Sequence, residues 1–192
     1  MAETLLPLLG EGEEAALEGA REALAAFGPR FEAAYIGGLR RKIGLSTERE
    51  GDDALAQDLL KSMAENGADF TLTFRRLCDA AAAAEGDAAV RELFADPDAY
   101  DAWAARWRRR LAEEPGEPEA RGAAMRAVNP AVIPRNHLVE ATLTAAVENR
   151  DFGPFEELLE ALLRPYEDRQ GLERYAALPP AEDRAYQTFC GT

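Results

Sequence analysis

The chain has 192 residues, 47% hydrophobic and 30% charged, which is the composition of a soluble, folded protein and not of a disordered one. With 22 basic against 36 acidic residues it carries −14, which argues against a dedicated binder of nucleic acid or of an anionic membrane. Two cysteines exclude a disulfide framework and fit a reducing compartment, and no run of 18 apolar residues is present to span a bilayer. The segment Met1-Ala2-Glu3-Thr4 and the short Leu-rich run behind it lack the basic start and long apolar stretch of a secretory signal. A cytoplasmic, bacterial protein is the expectation.

Alanine is abundant and β-branched residues are scarce, so helix is favoured over strand. A short first segment ends at Gly10 and Gly12. From Glu13 to Ile43 the pattern is helical, with Gly28-Pro29 predicting a break or kink, because proline lacks the donor and crowds the preceding turn. Arg40-Arg41-Lys42 followed by Gly44 marks a helix C-terminus. Leu55, Leu59, Leu60 and Met63 repeat at helical spacing behind Asp52-Asp53, a candidate N-cap pair. Phe70, Phe74, Leu77 and Ala81 do the same behind Asp69, and the Ala80–Ala84 run reads as a continuation of that helix.

Further along, Asn66-Gly67, Glu85-Gly86, Pro115-Gly116, Asn129-Pro130 and Pro165 are breaks. Residues 112–120 are the most linker-like piece. Two prolines pin Asn129 through Pro134 as an extended stretch that docks Val132-Ile133, after which Asn136 is the expected cap of the next helix. Leu138, Ala141 and Ala145 form one apolar stripe, and Phe152, Phe155, Leu158, Leu159, Leu162 and Leu163 another. The count is about nine helices: an all-α, irregular multi-helix fold over residues 1–192 as a single domain, ending in an extended tail, residues 179–192, that carries Cys190.

Few residues suggest chemistry. His137 is the only histidine, and a zinc site would need several ligands at fixed spacing. A structural histidine at a helix start is the favoured account over a lone general base. Glu48, Glu50, Asp52, Asp53 and Asp58 lack the alternating oxygens and central glycine of a calcium loop, so capping and a solvated face explain them. Trp103 and Trp107, interleaved with Arg106, Arg108, Arg109 and Arg110, would stack bases in a nucleic-acid binder. At −14 they read instead as a buried pair beside a basic helix end. There is no GxGxxG, no GxxxxGK[ST] and no GxSxG. Cys78 reads as a buried, inert thiol. Cys190, third from the end beside Phe189 and Gly191, reads as accessible to exchange and oxidation.

Five segments in order carry a resemblance: Arg41-Lys42-Ile43-Gly44-Leu45; Asp69-Phe70-Thr71 with Phe74-Arg75; Asn129-Pro130 through Pro134-Arg135-Asn136-His137; Asp151-Phe152 with Pro165-Tyr166; and Thr188-Phe189-Cys190-Gly191-Thr192. Over nearly the whole chain they resemble the C-terminal region of the selenoprotein O family. The resemblance implies the helical part of a kinase-like pseudokinase fold. The complete enzyme would be a protein adenylyltransferase, moving AMP from ATP, with Mg or Mn, to Ser, Thr or Tyr hydroxyls of proteins in redox homeostasis. Its partners would be the kinase-like N-terminal part of the same enzyme and the protein substrates, not nucleic acid or membrane. Cys190 stands where the family carries selenocysteine or cysteine, which implies a redox role. The family's nucleotide and metal residues lie in the kinase-like part, so no catalytic, cofactor-binding or metal residue is assigned here, and the segment alone is expected to be inactive. It is either an excised domain or a separately encoded short protein. The alternative is a free-standing helical module that regulates a partner through the Cys190 thiol.

Overall fold

A computed structural model describes residues 3–10 and 12–178. Among these residues the chain forms nine α-helices, two short 3-10 helices and no strand, as the periodicity predicts. In chain order the α-helices are α1 (Glu13–Lys42), α2 (Asp52–Glu65), α3 (Phe70–Ala82), α4 (Asp87–Arg91), α5 (Pro97–Leu111), α6 (Pro118–Arg126), α7 (Asn136–Asn149), α8 (Gly153–Leu162) and α9 (Glu173–Ala176). The tail from residue 179, with Cys190, lies outside the described residues.

The chain divides into two compact units, residues 1–40 and residues 41–192, with the boundary inside α1. In the first unit α1 buries only Ala16 and Leu39. Gly28-Pro29 does not break it: the helix runs unbroken through Pro29. Proline leaves the Ala25 carbonyl without its usual donor, and Ala25 is an exposed residue, so that oxygen is on the solvent side of the helix rather than in a core.

In the second unit α3 is the central element, packed most extensively on α6 and also on α4, while α2 packs on α5 and α7 on α8. Ile43, Leu59, Phe74, Leu77, Val90, Tyr100, Trp107 and Met125 are all essentially inaccessible and form the main core. A second cluster joins Ala131 and Val132 to Leu158 and Ala161 of α8 and Tyr175 of α9. Of the expected Val132-Ile133 pair the pinned stretch docks only Val132 in this cluster, with Ala131 beside it; Ile133 is half-buried and not part of it. Both tryptophans are core residues whose indole N–H groups find backbone oxygens: Trp103 donates to Leu55 at 2.9 Å and Trp107 to Ile43 at 2.8 Å. The rings stack at 5.2 Å, and Arg108, Arg109 and Arg110 close the helix at its negative end.

Local expectations divide. Asp69 caps α3, accepting from the Leu72 N–H at 2.8 Å. Lys42 ends α1, and Gly44 follows at φ 80, a value only glycine adopts at little cost. Asp52 and Asp53 do not cap α2. Gly51, left-handed at φ 89, precedes the helix, so Asp52 falls at the first helical position. Asn136 does not cap α7 either, because the extended residue is Arg135 and Asn136 is already helical. The alanine run stops as a helix at Ala82, and Ala83 turns extended at φ −151. Residues 112–120 are not a free linker: α6 begins at Pro118, and Glu114 is buried.

Candidate functional site

Of the segments singled out by motif, residues 41–45, 69–75, 129–137 and Pro165-Tyr166 meet around α3 in the second unit. Lys42, the last residue of α1, sends its ammonium to the Asn129 Oδ1 at 3.0 Å and the Val128 carbonyl at 3.3 Å. The same ammonium lies 5.0 Å from the Phe74 ring centroid and 5.7 Å from that of Phe70, a double cation–π arrangement. Desolvation pushes the Lys42 pKa below the usual lysine value. Asn129 is fully buried. Its amide donates to the Lys42 carbonyl at 2.9 Å and faces the Cys78 sulfur at 3.6 Å.

From α3, Arg75 reaches the other segments. One nitrogen donates to the carbonyls of Asn129 at 2.8 Å and Arg126 at 3.2 Å; the other donates to the Tyr166 carbonyl at 3.2 Å and to Asp168 at 2.5 Å. One planar, permanently charged fork thus ties α3 to the end of α6, the pinned stretch and the turn after α8. The Pro165 carbonyl accepts from Ala131 at 2.7 Å and Val132 at 3.2 Å. Arg135 grips the carboxylate of Asp69 at 2.8 and 3.1 Å and donates to the Ala176 carbonyl at 3.4 Å. Burial opposes ionisation of Asp69, but Arg135 and the Leu72 N–H outweigh it and hold the carboxyl below its usual range.

A second buried cluster lies at the end of α5. Glu114 accepts from the Ser46 N–H at 2.7 Å, the Ser46 hydroxyl at 2.5 Å, the Thr47 N–H at 3.0 Å and the Thr47 hydroxyl. Arg110 lies 2.7 Å from Glu114 and 2.6 Å from Asp52, whose other oxygen also accepts the Arg49 N–H at 2.8 Å. Burial raises the Glu114 pKa, yet these donors win and bring it down to about 2. The cluster fastens the residues after α1 onto α5. Asp58 pairs with Arg106 at 2.7 Å on the surface, so the acidic group splits into one buried structural member and solvated ones.

The remaining candidates are inert or isolated. His137 is half-buried in the first turn of α7, with no hydrogen-bond partner among the described residues. Cys78 is fully buried, its thiol donates to the Phe74 carbonyl at 3.3 Å, and burial pushes its pKa up. Cys190 lies outside the described residues. Among those residues no three His, Cys, Asp or Glu side chains gather as a metal site would require. No helix among them is long and apolar enough to cross a membrane. A cleft of about 420 Å³ lies between α3 and α6, beside Arg108, Leu111 and Arg121, but Arg108 is committed to Asp87 at 2.5 Å and to the Ala80 carbonyl.

In the sequence Lys42 marks a helix end and Asn129 a break, and Arg75 stands in a motif; none of the three is legible there as part of a hub. For Arg75 and Asn129 a signal exists, a polar residue beside an aromatic or a proline (Phe74, Pro130); Lys42, in Arg41-Lys42-Ile43-Gly44-Leu45, has none. Glu114 had no such signal, since an acid in a Pro-Gly-rich loop normally faces water.

Residues 2–163 match the family described as "Protein adenylyltransferase SelO". The chain is 59% identical to a "Protein nucleotidyltransferase YdiU" of Methylorubrum populi, 58% to one of Methylorubrum extorquens and 55% to one of a Bradyrhizobium species. Each match covers 100% of this chain but 39–40% of the relative, so the chain spans about two fifths of their length. A family match over most of its residues, a stretch that includes Lys42, Arg75 and Asn129, makes the chain a member of the SelO protein adenylyltransferase family.

Proposed function

We propose that this chain is the helical, structural and regulatory part of a protein adenylyltransferase, and that the transfer of AMP from ATP to Ser, Thr or Tyr hydroxyls belongs to the complete protein. The observation that carries the reading is how the motif residues are used. Lys42 and Asn129 spend their polar groups on each other and on backbone carbonyls, and Arg75 and Arg135 spend theirs on backbone carbonyls and on the carboxylates of Asp168 and Asp69. Such a hub sets the positions of helices and offers no group to a reacting phosphate.

The residues present do not fit ATP and its metal. No group of three or more His, Cys, Asp or Glu side chains gathers for a divalent ion among the described residues, and the sequence has no glycine-rich phosphate loop. We assign the ATP and Mg or Mn sites to the rest of the protein. The proposed setting is the cytoplasm, with the rest of the same enzyme and its protein substrates as partners.

The test is incubation of the chain with labelled ATP, Mg or Mn and an acceptor protein, beside the full-length Methylorubrum populi relative. The relative should transfer label and the chain alone should not. Labelling by the isolated chain, or none by the relative, would overturn the proposal. The redox part is tested by thiol labelling of the native chain with peptide mapping. Cys190 should react readily, whereas Cys78, at 0% exposure, should wait for α3 to open. Equal rates, or a bridge between the two cysteines, would remove Cys190 from that role.

A further inference from the structure

Between Leu17 and Gly38, α1 has no buried residue. Leu24, Phe27 and Phe31 fall at i, i+3, i+7, one face of a helix, and are 66%, 65% and 59% exposed. Phe27 stacks on Phe31 at 5.9 Å, and Tyr35 extends the ladder at 6.0 Å. The opposite face, at 100° per residue, carries Glu22 and Pro29. Gly28 and Pro29 in the interior both disfavour a helix, and a helix in water draws most of its stability from packing an apolar face. This helix has the face, but between Leu17 and Gly38 none of its residues is buried by packing.

The length of the relatives says what supplies it. The chain matches them from end to end yet makes up only about 40% of each, so roughly three fifths of a family protein sits on the same polypeptide outside the matched stretch. A tethered surface meets α1 at high effective concentration, which an unlinked partner lacks. We propose that the Leu24–Phe27–Phe31 face of α1 is the surface on which the remainder of the family protein docks, through an apolar groove of that remainder. This rests on the reading of the chain as one part of a larger adenylyltransferase and adds the surface that joins the parts.

The experiment co-expresses this chain with the portion of the Methylorubrum populi relative that it does not match, as two polypeptides. A 1:1 complex by light scattering is expected, with backbone amides of residues 20–35 exchanging at least tenfold more slowly than in the isolated chain. The double variant Phe27→Glu, Phe31→Glu should abolish the complex, while Glu22→Lys on the opposite face should keep it. Should the separate portion fail to fold, a single-chain chimera, with this chain replacing the matched stretch of the relative, gives the same exchange readout. A complex or protection indifferent to the double variant overturns the proposal. So does an isolated chain that dimerises and loses the dimer in that variant, which would make a second copy the occupant. Neither readout involves AMP. An assembled complex that transfers none leaves the docking surface standing and removes the catalytic reading; an active enzyme whose α1 face stays exposed does the reverse.

Discussion

Glu114 shows how a single carboxylate is made structural. Four hydrogen-bond donors, the N–H and hydroxyl groups of Ser46 and Thr47, surround it together with the charged Arg110 guanidinium, and folding takes its pKa from 4.5 to about 2. Because the folded value is the lower one, the stabilisation is fully present above pH 4.5 and is lost as pH falls toward 2. The shift corresponds to about 3 kcal/mol. Glu114→Gln should therefore cost about that much at pH 7, and its difference from wild type should shrink to near zero by pH 2, as read by urea unfolding along a pH series. A constant difference across that window would mean that the charge is not what holds the cluster. Asn129 makes the companion case without titration. Asn129→Ala strands the Lys42 carbonyl and removes one acceptor of the Lys42 ammonium in a buried setting. A loss of about 2–4 kcal/mol in chemical denaturation is expected. A change under 1 kcal/mol would show that water replaces the amide.

At the scale of elements, α3 and α6 approach closely because Gly122 has no side chain. A Cβ there would lie 2.8 Å from the Cys78 carbonyl oxygen and 3.0 Å from the Ala82 Cβ. The first obstacle is backbone, so relief requires moving α6 off α3. Gly122→Ala should destabilise by about 1–3 kcal/mol in a melting experiment, whereas Gly28→Ala, where a Cβ meets nothing within 4 Å, should not destabilise. This packing also marks the limit of what the sequence made legible. Asp69 as a cap, Gly44 as a stop and the Trp103–Trp107 pair as core all follow from local rules, and the structure has them. Gly122 inside a short helix, Glu114 inside a loop and Asp52 opposite Arg110 depend on what another segment places against them. Pro29 belongs with them in part: of the break or kink that its chemistry predicts, the break does not occur, and the helix runs on through an exposed stretch. The hub was half legible. Its motifs contain Lys42, Arg75 and Asn129, while their meeting around α3 is a property of the tertiary structure.

On the scale of the whole molecule, stability is unevenly distributed. Both tryptophans sit in the unit from residue 41 onward, at 2% and 0% exposure, in a core that also holds Tyr100, Phe74 and Met125. The unit before residue 41 consists mostly of α1, whose span from Leu17 to Gly38 buries nothing. Local opening free energy follows buried apolar contact, so α1 should melt at a lower denaturant concentration than the core. Urea unfolding of the isolated chain should then separate by probe. Ellipticity at 222 nm should lose the α1 share in a first phase, while tryptophan fluorescence stays native until a second, cooperative transition. Phe27→Glu with Phe31→Glu should leave the second transition in place, because neither ring belongs to that core. Two probes that trace one coincident transition would show a single cooperative unit, and α1 would then owe its stability to the same core as the tryptophans.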